Sequence, residues 1–262
     1  MGPEALDALP RHWVKLGRVL VLPLAEPLRP HWPAIAEAYA AELGCGAVVR
    51  DAGPIAGERR EPARELVWGT QTETEVVEGG VRFALDAARV MWSAGNVHER
   101  QRIPRLVQEG EVVLDLFAGI GYFAVPIAAK ARPERVVACE LNPVAFHCLQ
   151  RNAALNHVQD RIEPRLGDCR ATAPRGIADR VLLGYTVETE RFLPTAVAGL
   201  KRQGGWLHYH EACPAHLWRS RPEQRVRDAA AAAGREVVRA APRVVKNYAP
   251  GMVHVVVDAE VR

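Results

Sequence analysis

The stretch VVLDLFAGIGYFAVPIA, residues 112–128, sets an apolar run, a carboxylate and two glycines directly ahead of a helix-like segment. VVLDLF reads as a buried strand and GYFAVPIAAKA as the helix that follows it. Gly119 and Gly121 let the backbone turn sharply at the strand's end and approach a ligand closely. Asp115 either sits under that turn and orients it, or caps loop amides at the strand end.

Downstream the pattern is regular. RVVACEL is a second strand, and NPVAFHCLQRNAALN opens a helix with Asn142 as N-cap and Pro143 at the first helical position. RIEPRLGD, DRVLLGY and GGWLHYHEA continue as short strands, with helical material over 188–202 and 222–234. VVRAAPRVVKNY and MVHVVVDAEV flank Pro250-Gly251 as a terminal β-hairpin. Strands alternating with helices predict an α/β fold with a mainly parallel, doubly wound sheet.

The first 90 or so residues differ. HWVKLGRVLVLPL is strand-like, WPAIAEAYAAEL a short amphipathic helix, and AVVRDAG another strand. IAGERREPAREL, charged and proline-containing, reads as a loop or linker, and ETEVVEGGVRFALD as a hairpin turning at Gly79-Gly80. The expected division is a small α+β domain over residues 1–88 and a larger domain over 89–262.

At 262 residues and 48% hydrophobic, the chain has enough apolar material for a sizeable core. A net charge of +3 implies no strong overall field, so any nucleic-acid surface has to be a local patch. The five cysteines are scattered and form no C-x-x-C pair, which argues against a disulfide framework or zinc knuckle and fits reduced thiols. MGPEALDALPRHW lacks the pattern of a secretion signal, and no run approaches about 18 apolar residues. The expectation is a soluble cytoplasmic protein with no membrane partner.

Glu140 ends the second strand nineteen residues beyond Gly121, where a carboxylate accepts hydrogen bonds from ribose hydroxyls. Gly167-Asp168-Cys169 follows the third strand, where a carboxylate and a backbone N–H meet an adenine edge. With Asn142, these strand-end residues turn the two-glycine motif into a nucleotide-site pattern. DLFAGIGYF, ACELNP and the Gly-Asp pair resemble the class I S-adenosylmethionine (AdoMet)-dependent transferases, which implies a Rossmann-like sheet, the terminal hairpin, and AdoMet as the bound group donor.

The sulfonium of AdoMet carries three electrophilic carbons, so binding it does not by itself mean methyl transfer. The segment FALDAARVMWSAGNVHERQRIPR, residues 83–105, looks like the entry to the catalytic domain of two related tRNA-modifying families. One is the tRNA guanine-N1 methyltransferases, which have S-x-R-L here and N-L-P after the fourth strand. The other is the wybutosine-pathway tRNA 3-amino-3-carboxypropyltransferases. Here the two places read SAGN (Ser93–Asn96) and LLGY (Leu182–Tyr185), and both resemble the second family. The resemblance covers nearly the whole chain, most strongly from Gly69 to about Pro214. It implies transfer of the aminocarboxypropyl group of AdoMet to a tricyclic modified guanosine in tRNA. By matching positions it implies AdoMet contacts at Ser93, Arg100, Glu140, Asp168 and Cys169; Phe117, Gly119, Gly121 and Asn142, at the turn and strand ends, are the other expected cofactor-binding residues.

Arg100 then suits the carboxylate of the methionine part, or else is a phosphate contact or surface charge. Ser93 alternatively caps a helix beginning near Ala94, and Cys169 contributes its backbone. No residue announces itself as a catalytic base. Tyr185, His210 and Glu211 are the candidates near a substrate base, the latter two otherwise completing local hydrogen bonds at a strand end. The H-x-H-E string, His208–Glu211, lacks a third ligand, so no metal is expected. Arginine groups around Arg100–Arg105, Arg219–Arg227 and Arg239–Lys246 are either phosphate contacts or solvated faces. Trp68, Trp92 and Trp206 suit core packing better than base stacking. Other readings of the chain are a tRNA guanosine methyltransferase, aminocarboxypropyl transfer to another RNA or a small molecule, and a non-catalytic AdoMet-gated RNA-binding module.

Overall fold

The computed structural model describes residues 6–262, so the first five residues of the expected N-terminal domain lie outside it. The chain divides into two compact units, Met1–Ala94 and Gly95–Arg262.

Among its described residues, the first unit contains β1 (Val14–Leu16), β2 (Val19–Leu22), α1 (Trp32–Leu43), β3 (Ala47–Ala56) and β4 (Glu61–Gly69). These strands form one sheet in the order β1-β2-β3-β4. β2 and β3 run parallel, and the chain between them carries α1. Leu20, Leu22, Ile35, Ala36 and Val48 make the shared core of helix and sheet. Gly44 ends α1 at φ 62°, and Cys45 N–H closes on the Ala40 carbonyl, so the helix stops where only glycine turns without strain.

The segment read as a charged loop is instead the end of β3 and most of β4. The two strands pair antiparallel, with Arg50 opposite Glu65 and Asp51 opposite Arg64. Those charges are cross-strand neighbours on an edge strand, where a charged sequence is tolerated and blunts edge-to-edge association. β5 (Glu73–Glu78) and β6 (Val81–Asp86) form the expected hairpin, with Gly79 at φ 58° and Gly80 at φ 79° in its turn.

The second unit begins with α2 (Val97–Leu106) and continues β7 (Val112–Asp115), α3 (Ala124–Lys130), β8 (Arg135–Glu140), α4 (Pro143–Leu155) and β9 (Ile162–Leu166). It then runs α5 (Cys169–Thr172), β10 (Arg180–Leu183), α6 (Leu193–Gly199), β11 (Gly205–Pro214), α7 (Arg221–Ala232), β12 (Val237–Ala249) and β13 (Met252–Val261). The seven strands are ordered β12-β13-β11-β10-β7-β8-β9. β7 to β11 run parallel; β13 enters antiparallel to β11 and to β12. This is the expected Rossmann-like sheet with its terminal hairpin. The chain order reverses between β7 and β10, and ligands of such sheets bind outside the strand ends at that point.

α2 departs from expectation. HERQRIPR is not a solvated basic face: Glu99 and Arg100 are buried. Glu99 pairs with Arg102 and with Arg243 of β12, and Arg102 reaches Asp258 of β13 at 2.7 Å. Asp258 Oδ1 lies 2.5 Å from His208 Nδ1, and Arg180 Nη1 lies 2.7 Å from His208 Nε2. A guanidinium can only donate, so Nε2 is the acceptor and Nδ1–H donates to Asp258. Burial depresses the His208 pKa despite Asp258, leaving the ring neutral in that tautomer. Burial alone would raise the Asp258 pKa, but hydrogen bonds from His208 and Arg102 outweigh it and hold the carboxyl well below the usual range. A polar helix is thereby fastened to the hairpin by ions rather than by an apolar stripe.

Candidate active site

The glycine turn joins β7 to α3. Gly119 has φ 57° and Gly121 φ 96°, both in the left-handed region. A Cβ at Gly121 would come within 2.5 Å of Val125 Cγ2, so the missing side chain also allows the turn to pack on α3. Gly119 N–H donates to Glu140 Oε2 at 2.7 Å, and Asn142 N–H donates to Oε1 at 2.7 Å. Glu140 therefore stitches the turn after β7 to the end of β8. Each of its oxygens has a second lone pair, so the carboxylate can hold the turn and still accept from hydroxyls. Burial pushes its pKa up, opposed by N–H bonds from Asn142, Gly119 and Leu141.

Asn142 caps α4 as expected, accepting from Val144 N–H and Ala145 N–H. Gly167 N–H donates to the Glu140 carbonyl, which brings the end of β9 alongside. There Asp168 caps the short α5 through Arg170 N–H and is ion-paired to the Arg170 guanidinium. That guanidinium depresses the Asp168 pKa. Cys169 is buried, and burial pushes its thiol up to about 12, which leaves its backbone as the useful part.

Phe117, after β7, and Tyr185, after β10, stack with ring centroids 5.0 Å apart and planes 15° from parallel. Phe192 closes on both rings edge-on. This aromatic cluster sits at the strand-order reversal. Arg100 is only 3% exposed and lies with its guanidinium carbon 5.9 Å from the Tyr122 ring centre, so it is not a surface charge. Ser93 is half-buried and belongs to the first unit. Phe117, Gly119, Gly121, Arg100, Glu140, Asn142, Asp168, Cys169 and Tyr185 are thus gathered around the C-terminal ends of β7 to β10 and the turn between β7 and α3.

His210 and Glu211 stand beside this group on β11, the His210 ring centre 5.9 Å from that of Phe123 in the turn before α3. β11 runs on to Pro214 because it pairs with β13 from Gly205 opposite Val261 to Pro214 opposite Met252, so both residues are mid-strand and buried. His210 Nδ1 lies 2.9 Å from His254 Nε2, and burial pushes both histidines down to about 3. Glu211 accepts from Tyr209 Oη at 2.7 Å and pairs with Arg221 and Arg225, anchoring α7 to the sheet. Two arginines expected near phosphate are thereby committed, and Arg227 is paired to Glu223 and Arg243 to Glu99. Trp68, Trp92 and Trp206 are each half-buried; Trp92 packs edge-on to Phe83, and the Arg180 guanidinium lies over the Trp206 ring. No group of three or more His, Cys, Asp or Glu among the described residues is arranged to hold a metal ion. No helix among them is long and apolar enough to cross a membrane.

Asn152 is a support of the turn that escaped the sequence, whereas Asp115 does as expected and accepts a loop amide at the strand end. Asn152 of α4 donates to the Ile120 carbonyl at 2.9 Å from a fully buried position. Asp115 accepts Phe117 N–H through Oδ1 while Oδ2 has no partner among the described residues. Burial pushes the Asp115 carboxyl up to about 7, with the Glu140 charge adding to it. A carboxyl raised in the folded state above its ordinary value of 3.8 stabilises most below that value, and its contribution is lost as pH rises through about 7. Asp115→Asn is expected to gain stability over the wild type between pH 4 and pH 8, about the two limits of that window. Urea unfolding at both pH values checks this; a difference that does not vary with pH contradicts it.

Residues 74–238 match the family described as TRM5/TYW2 methyltransferase domain, and residues 1–72 match the TYW2 N-terminal domain. A curated tRNA(Phe) (4-demethylwyosine(37)-C(7)) aminocarboxypropyltransferase of Pyrococcus horikoshii is 40% identical over 258 residues, 98% of this chain and 92% of that protein. The crystal structure of P. horikoshii TYW2 in complex with MeSAdo is 37% identical with a TM-score of 0.88, covering 100% of this chain and 94% of that one. That of M. jannaschii TYW2 in complex with AdoMet is 33% identical with a TM-score of 0.79, covering 96% and 99%. The chain belongs to the TRM5/TYW2 family of class I AdoMet-dependent transferases.

Proposed function

We propose that this chain transfers the 3-amino-3-carboxypropyl group of AdoMet to C7 of 4-demethylwyosine at position 37 of tRNA(Phe). The near-full-length 40% identity to an aminocarboxypropyltransferase carries this reading. The SAGN and LLGY segments, which resemble that family and not the guanine-N1 methyltransferases, support it. tRNA is then the macromolecular partner and the cytoplasm the place of work.

The residues present fit the donor. The Glu140 carboxylate has lone pairs left for the ribose hydroxyls beside a turn with no side chain at Gly119 or Gly121. Asp168 and the Cys169 backbone are the adenine contacts, and buried Arg100 takes the methionine carboxylate. When bound, the sulfonium supplies three electrophilic carbons, of which the one held in line with the acceptor at about 3–3.5 Å reacts. Arg100 selects by fixing the carboxylate end of the chain that is transferred. Tyr185, stacked on Phe117 and held by Phe192, presents an aromatic face to the acceptor base at the strand-order reversal.

Parallel incubations with AdoMet labelled in the methyl carbon or in the carboxyl carbon test this on tRNA bearing the precursor. The carboxyl label is expected in the tRNA and the methyl label in the small-molecule product. Methyl label in the tRNA contradicts the proposal.

A further inference from the structure

The β12–β13 register slips between Val244 and Lys246, a bulge that re-aims the side chain after it. The Lys246 side chain crosses the backbone just ahead of α2: a Cβ at Gly95 would lie 2.9 Å from both Lys246 Cδ and Nζ. Gly95 is not at positive φ, so a side chain there would meet no backbone constraint and only the flexible end of Lys246. Five residues on, α2 carries Arg100, buried against Tyr122 of the glycine turn. β12 is drawn onto α2 by the ion pair of Arg243 with Glu99, the residue next to Arg100. Opposite Lys246 on β13 stands His254, fully buried, whose Nδ1 has no partner among the described residues.

Burial and the neighbouring Arg100 both depress the Lys246 pKa. Lys246 over Gly95 and Arg100 five residues on therefore repel each other, and an anion shared between them lowers the cost of holding both. A flexible ammonium beside a planar guanidinium fork suits a carboxylate, whose two oxygens can be shared between them.

We propose that Lys246, laid across Gly95, joins Arg100 in gripping the carboxylate of the group that is transferred, making Lys246 a specificity-determining residue of the donor site. This deepens the function proposed above and rests on AdoMet as donor. It also gives SAGN a physical meaning: a side chain at position 95 would displace the lysine.

Calorimetry on the full chain separates the outcomes, using AdoMet and 5′-methylthioadenosine, which lacks the aminocarboxypropyl group. Lys246→Met is expected to weaken AdoMet about tenfold or more, the loss of a charge-assisted contact, and to leave 5′-methylthioadenosine unchanged. Gly95→Ala, which moves the lysine without removing it, is expected to show the same selective loss, and Lys246→Arg to restore part of the affinity. Equal weakening of both ligands, or unchanged AdoMet affinity in both Lys246→Met and Gly95→Ala, overturns the proposal while the donor reading stands. Wild-type binding of neither ligand overturns both.

Discussion

Replacing Glu99 by alanine is expected to destabilise the second unit by about 2–4 kcal/mol. Its carboxylate is fully buried and serves Arg102 and Arg243 together. Deleting it leaves Arg102, three-quarters buried, with Asp258 alone among the described residues to answer its charge. Removing one partner of a wholly buried pair costs about 3–5 kcal/mol, because the stranded charge cannot return to water. Arg243 keeps solvent along one side, which reduces that figure. The loss spreads along the chain of contacts: Arg102 orients Asp258, Asp258 fixes the His208 tautomer, and His208 accepts from Arg180. Hydrogen exchange of β13 amides in urea reports this unit apart from the other, which a single global melting curve would not do. Glu99→Gln, which keeps an acceptor oxygen, is expected to lose less. A loss below about 1 kcal/mol in Glu99→Ala would show the network to be a surface ornament of the kind exposed ion pairs often are.

Glu140→Ala is expected to weaken AdoMet binding about tenfold to hundredfold, the equivalent of about 1.5–3 kcal/mol for hydrogen bonds to a charged acceptor. The carboxylate has two duties. It accepts the N–H groups of Gly119 and Asn142, and in the proposed donor site it also accepts from the ribose hydroxyls. Alanine removes the ribose contact and unfastens the turn that shapes the crevice. Glu140→Gln separates the two effects, since an amide keeps one acceptor oxygen but presents an N–H₂ to the other backbone donor. Titration calorimetry with AdoMet checks both variants. Affinity in Glu140→Ala within twofold of wild type would remove Glu140 from the donor site.

The parallel sheet, the glycine turn and the terminal hairpin were legible because each is written in local chemistry. Val112–Asp115 is an apolar run short enough for a buried strand, Asn142-Pro143 is a helix start, and Gly119 and Gly121 mark a turn by the side chains they lack. The role of α2 was not legible, because it depends on register. His208 meets Asp258 only once β11 has paired with β13, fifty residues along the chain, and Glu99 finds Arg243 across 144. From composition alone such residues belong in water. His210 and Glu211 read as a strand end for the same reason: only the pairing with β13 carries their strand on to Pro214. β3 and β4 hid behind charges that the pairing of Arg50 with Glu65 places on opposite strands. Lys246 carries no signal beyond being basic, and only the bulge in β12 and the bare backbone of Gly95 show where its ammonium goes.

The most direct test of the account is the identity of the small molecule released when the protein turns over AdoMet on tRNA carrying 4-demethylwyosine at position 37. Mass spectrometry is expected to find 5′-methylthioadenosine, in amounts equal to the tRNA nucleoside that has gained the aminocarboxypropyl group. S-adenosylhomocysteine paired with a methylated nucleoside would make the chain a methyltransferase and contradict the account at its centre.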